Sequence, residues 1–229
     1  MTFYKSRYYF IALLFLVFIA FWESYFSKLF DGVTSYIHFH AITMLLWVFM
    51  LITQVFLLKY NRHSLHKIIG RFSYGLVPLL VISLILLAHS QITIYDFGIT
   101  YTRLYILFLQ LSLLAIFIIA YSLAIFFRKS PVKHARYMIS TSLTLIDPAV
   151  ARLPLDIPPL PFSYQVVTFS LIDLILIVLI VLERNQTKGR EVFPIMLGIF
   201  LIFQILNLVW TDSTTWDSFA LWFANLPLT

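Results

Sequence analysis

The stretch from His38 to Ser90 decides what this chain can become. It holds two apolar runs, HAITMLLWVFMLITQVFLL and FSYGLVPLLVISLILLAH, joined by the basic segment KYNRHSLHKIIGR. Each run supplies roughly 20 residues, which at about 1.5 Å per residue covers a hydrocarbon core of about 30 Å. Such a pair reads as a transmembrane hairpin. Ionisable groups are costly in that setting, so the histidines at its open ends (His38, His40, His89) and in its predicted turn (His63, His66) become functional candidates.

The rest of the chain follows the same pattern. With 61% hydrophobic and 11% charged residues, it has too little polar surface to cover a soluble globule. Further apolar runs predict an all-α polytopic bundle, one transmembrane helical domain over residues 1–229 with seven spans: 8–25, 38–58, 72–90, 104–127, 137–152, 164–182 and 193–210. The first run has a basic flank like a signal peptide, but it continues into Phe21, Trp22 and Tyr25 without a small-residue cleavage pattern, so it is expected to stay as a helix. The fifth span is polar, with Ser140, Thr141, Ser142, Thr144 and Asp147, and is expected inside the bundle. Residues 211–229 are expected either as an interfacial helix or as a frayed end.

Charge distribution sets the expected orientation. Thirteen of the sixteen Lys and Arg fall in the amino-terminal segment and in the turns after the second, fourth and sixth spans, which leaves Lys28, Arg103 and Arg152 on the other side. The positive-inside bias then places the N-terminus in the cytoplasm and the C-terminus outside a plasma membrane. The formal charge of +6 lies in short turns beside lipid, which excludes nucleic acid as its partner, and the absence of cysteine excludes disulfides and thiolate ligands.

Helical spacing sorts the polar residues within the bundle. His40, Trp47 and Gln54 recur by sevens on one stripe; His134, Met138, Thr141, Leu145, Pro148 and Arg152 form another, with Asp147 beside it. Gln165 and Asp173 share a face of the sixth span, and Gln110, Gln204 and Asn207 lie in the outer halves of the fourth and seventh. These groups are expected to converge on an outer polar pocket, or to form interhelical hydrogen bonds. A carboxylic acid such as Asp173 at mid-membrane must be protonated, paired or hydrated, and Arg152 is a candidate partner for it or for Asp147.

Depth sorts the histidines. His40 and His89 are about equally far from the hairpin turn, and His63 or His66 is expected to meet His134 at the opposite end, which would make a pair of imidazoles near each face. Such pairs suit axial ligation of haem and electron transfer from a quinol or cytoplasmic reductant to an outer acceptor, with Trp47 and Gln54 along the path and Asp147, Arg152 and Asp173 shaping the outer pocket. A different class of function is a proton-coupled transporter or small-molecule sensor built on Asp173. A third is a metal-dependent membrane hydrolase, with His38, His40, His89 and Asp147 as metal ligands.

Two blocks carry a resemblance. HAITMLLWVFMLITQ with LHKIIGR (His40, Ala41, Trp47, Gln54, Leu65, His66, Gly70, Arg71) and KHARYMISTSLTLIDPAVARLP (Lys133, His134, Arg136, Met138, Pro148, Arg152) resemble a family of small bacterial multi-pass membrane proteins known only as a domain of unknown function. The resemblance points to His40, His66 and His134 without assigning them a role. The arrangement is also similar, more distantly, to the cytochrome b561 class, which implies one haem near each membrane face between helix-borne histidines.

Overall fold

The computed structural model describes residues 6–94, 98–153 and 164–229. Asp96 and the proline-rich segment after Leu153 lie outside them. The described residues form nine α-helices: α1 Ser6–Ala20, α2 Ser35–Lys59, α3 His63–Gln91, α4 Tyr101–Phe126, α5 Pro131–Leu143, α6 Ile146–Val150, α7 Tyr164–Leu182, α8 Val192–Val209 and α9 Thr214–Ala224. Five of them, α2, α3, α4, α7 and α8, are long and apolar enough to cross a membrane. Their outward faces expose Leu46, Ile82, Leu174, Ile202 and other large apolar side chains, as contact with lipid requires. The other two predicted spans differ. α1 has 15 residues, and the fifth is split into α5 and α6, so neither is one helix of spanning length.

The hairpin forms as the sequence predicts, but its turn is shorter. Arg62 N donates to the Leu57 carbonyl at 2.8 Å, and Asn61 takes a left-handed conformation (φ 56°) that a short amide side chain tolerates. α3 therefore starts at His63, and His63 and His66 sit on its first turn rather than in a loop. Hydropathy marks where a helix meets lipid, not where it ends, and nothing between Arg62 and Pro78 breaks the helix. α5 likewise begins early, at Pro131, because proline at the first helical position lacks only an N–H that would be unpaired anyway.

The predicted burial of the polar fifth segment holds, and the hydroxyls explain how. Ser140, Thr141, Ser142 and Thr144 donate to the carbonyls of Arg136, Met138, Ile139 and Thr141 on their own helix. Their polarity is thus spent on local backbone, and the segment enters the bundle with no hydroxyl left bare. The break at Thr144–Leu145 sits just before Pro148, whose ring nitrogen brings no N–H to the Thr144 carbonyl.

Starts of α1, α3 and α5 meet ends of α2, α4 and α7 at one end of the bundle, which carries most of the basic residues and is called here the basic end. There Arg136, 2% exposed, pairs with Glu183, 3% exposed, at 2.5 Å and donates to the Lys188 carbonyl at 2.6 Å, tying α5 to the turn between α7 and α8. Lys133 holds Glu191 at 2.7 Å, and its ammonium keeps that carboxyl below the usual glutamate range. The core between the two ends is built on Trp47, which lies edge-on to Phe117 and Tyr121. At the far end the tail is ordered. Ser213 Oγ caps α9 by accepting from Trp216 N, and Trp216 Nε1 donates to the Leu104 carbonyl at 3.0 Å. The frayed alternative for residues 211–229 is thereby corrected.

Gly189 closes the basic end. Its φ of +73° is unfavourable for any side chain, and an added Cβ would stand 2.5 Å from Arg136 Nη1. We expect Gly189→Ala to lose about 1–2 kcal/mol from backbone strain alone and more if Arg136 is displaced from Glu183. Gly98→Ala, with φ +97° but open space around it, should show the strain without the clash. Thermal unfolding of the two variants side by side separates these contributions.

Candidate functional site

Two residues that the sequence pairs across a long separation do meet. His66 on the first turn of α3 and His134 on the first turn of α5 line one cavity of about 100 Å³ at the basic end, together with Gln54, Gly70, Ser73 and Met138. His134 is held by its Nδ1, which donates to the Ala124 carbonyl at 2.8 Å. That carbonyl belongs to the last turn of α4, where intrahelical donors have run out. The ring therefore caps α4, and the hydrogen bond fixes the proton on Nδ1, leaving Nε2 of a neutral imidazole as an acceptor.

Other residues lining the cavity carry buried polar atoms without a partner. Gln54 Nε2 and Oε1 and His66 Nδ1 are buried without a hydrogen-bond partner, although the Gln54 backbone lies beside the His66 ring. Trp47 Nε1, two turns further along the α2 stripe, is also unpartnered. Ser73 is satisfied, since it donates to the Gly70 carbonyl at 2.6 Å and lies 2.8 Å from the Tyr121 hydroxyl. Buried polar atoms left open cost of the order of 1–3 kcal/mol each, so a cavity lined by three of them is built to hold water or a small polar solute.

A second polar cluster surrounds the break between α5 and α6. Asp147 is 0% exposed and pairs through Oδ1 with the Thr168 hydroxyl and with Gln165 Nε2 at 2.5 Å, while its Oδ2 has no partner. The Tyr105 hydroxyl, also buried without a hydrogen bond, lies within electrostatic range of the same carboxylate. Arg152 is close enough to be felt by both Asp147 and His40, but its Nη1 is used on the Pro148 carbonyl at 2.8 Å and its guanidinium lies over the Phe21 ring.

The remaining predicted residues are dispersed. His40 Nδ1 lies 3.2 Å from Ser83 Oγ, which also contacts Thr43, whereas His89 Nδ1 lies 2.6 Å from Thr229 Oγ1 and its ring meets Phe223 of α9. Six residues of helix separate Ser83 from His89, roughly 9 Å of rise and about two-thirds of a further turn, so the two imidazoles face different neighbours. His38 turns to the Tyr25 hydroxyl at 3.1 Å. Asp173 accepts from Gln204, Gln110 donates to Gln91, and Asn207 is fully buried with both amide atoms unpartnered. The single outer pocket expected from Asp147, Asp173, Gln110, Gln204 and Asn207 is instead a set of separate contacts. Nor do His38, His40, His89 and Asp147 gather: among the described residues no three His, Asp or Glu come together to hold a metal ion.

Haem can be tested against these dimensions. Pockets that bury such ligands span roughly 300–1,000 Å³. The cavity between His66 and His134 has about 100 Å³ and does not admit a macrocycle as it stands. Helical spacing would have found the other wall of that cavity: His66, Gly70 and Ser73 stand at i, i+4 and i+7 once α3 is known to start at His63. Thr168 was within reach in the same way, three residues after Gln165. Tyr105 carries no pattern that marks it.

Neither a scan against protein-family models nor searches of curated proteins and solved structures gave a match, so the reading of this site rests on its geometry. The geometry predicts an unusual mutational response. Gln54→Leu keeps the volume and removes two unpaired polar atoms, so stability in denaturant titration should change by less than about 1 kcal/mol or rise. A loss above about 2 kcal/mol would mean that the amide has a strong partner after all.

Proposed function

We propose that the chain is a seven-pass protein of the bacterial plasma membrane that binds a small polar solute in the Gln54–His66–His134 cavity and moves it in exchange with protons. The observation that carries this reading is the cavity itself, too small for a large cofactor and lined by three buried polar atoms without a partner. Two further passes come from α1 extended by the turns up to Lys28 and from the α5–α6 pair, whose roughly 20 residues reach about 30 Å despite the break. Proton binding falls to Asp173, held by Gln204 at 3.1 Å between α7 and α8.

Haem-based electron transfer is the second reading. It is favoured by the meeting of His66 with His134, and by the anchoring of His134 through Nδ1, the arrangement that presents Nε2 to a metal. Haem supplies redox chemistry when bound; the chain would supply the two imidazoles, and the cavity would have to widen. A Soret band that appears on haem addition to the purified protein and is lost in His134→Ala would select this reading over the first.

Orientation is directly measurable because the chain has no cysteine. A single cysteine at Ser64 should be shielded from a membrane-impermeant maleimide in intact cells, and one at Thr34 should label; the reverse pattern overturns the proposed topology. For activity, proteoliposomes loaded with a pH-sensitive dye are challenged with formate, acetate, ammonium and urea. At least one solute should drive a lumenal pH change that falls at least tenfold in His134→Ala and Asp173→Asn. No response to any of the four, or a full response in Asp173→Asn, would rule the proton-coupled reading out.

A further inference from the structure

We infer that the cluster at the α5–α6 break is a second binding site, for a monovalent alkali cation, in which Asp147 supplies the charge and Tyr105 a neutral oxygen. The starting point is an unbalanced group. Asp147 has no accessible surface and no ion-pair partner, and the ion pairs among the described residues are Lys133–Glu191 and Arg136–Glu183. Isolated carboxylates in an apolar interior are too costly to keep unless a counter-charge or a proton compensates them. Two donors, from Thr168 and Gln165, both reach Oδ1, which orients the carboxylate and leaves Oδ2 facing away from them with nothing bound.

The Tyr105 hydroxyl is buried and unpartnered within electrostatic range of Asp147, and the Thr144 carbonyl, three residues before Asp147 in the chain, can receive no N–H from Pro148. Unwound carbonyls at a broken helix, together with a carboxylate, are a chemistry that coordinates Na⁺ inside a membrane bundle. One carboxylate with neutral oxygens balances one positive charge, and among the described residues no group of three His, Asp or Glu gathers to hold a divalent ion. Arg152, His40 and Tyr164, whose hydroxyl donates to the Val150 carbonyl of α6 at 3.4 Å, are other charged or titratable groups near the cluster among the described residues. Arg152 is exposed and engaged with Pro148 and Phe21, so it lowers affinity without occupying the site. This inference does not require the solute reading above, because ion binding is measured whether or not anything is transported.

The experiment uses the full chain in detergent micelles, with thermal unfolding followed by tryptophan fluorescence in choline chloride that is replaced stepwise by NaCl or by KCl at constant ionic strength. Binding to the folded state alone predicts a saturable rise in Tm with one alkali cation, about 5–10 °C at a hundredfold excess over Kd. Asp147→Asn keeps an acceptor for Thr168 and Gln165 but removes the charge, and it should give a flat titration. Tyr105→Phe removes one hydroxyl only and should move half-saturation about tenfold higher, which decides the matter if Asp147→Asn does not fold. Equal Tm in choline, NaCl and KCl, or a wild-type titration in the folded variant, would overturn the site.

Discussion

The structure depends on where polar groups go when there is no water to take them. In the α5 segment the answer is local. Four hydroxyl residues within five positions bond carbonyls one turn back, and a sequence polar enough to look like a loop becomes part of the bundle's interior. Arg136 and Glu183 apply the same rule to full charges, each nearly devoid of exposure and each the other's partner. Losing one member of such a pair leaves the other uncompensated, which makes this contact a structural fastening rather than a site.

Against that rule the exceptions stand out. The satisfied groups hold the helices at fixed heights, while unsatisfied ones include the amide of Gln54 and the ring of His66 near the basic end, Oδ2 of Asp147 and the Tyr105 hydroxyl near the broken helix, and, apart from these, Trp47 Nε1, His89 Nε2 and the Asn207 amide. Trp47 lies between His40 and Gln54 on the α2 stripe, fully buried and wedged against Phe117 and Tyr121.

The histidines divide along the same line. His134 has a structural task, capping α4, and a face left over for the cavity; His66 is half-buried beside the Gln54 backbone, with Nδ1 unpartnered. His38 and His89 are absorbed into contacts that organise the far end, with Tyr25 and with Thr229 and Phe223. Depth in the bundle is thus a poor guide to partnership: two side chains at similar height still face apart when they sit on different sides of their helices.

Periodicity and hydropathy alone determined the all-helical character, the hairpin, the inward stripe of His40, Trp47 and Gln54, and the meeting of the α3 and α5 starts at the basic end. These are properties of single helices and short turns, in which neighbours along the chain decide the outcome. Rotation of one helix against another was decided only by tertiary packing. It separated His40 from His89, gave Asp173 to Gln204 rather than to Arg152, and brought Tyr105 within electrostatic range of Asp147 across more than forty residues. The helix ends at His63 and Pro131 and the break at Thr144–Leu145 belong to both levels: local chemistry permits them, and packing against the neighbouring helices makes them the positions that matter.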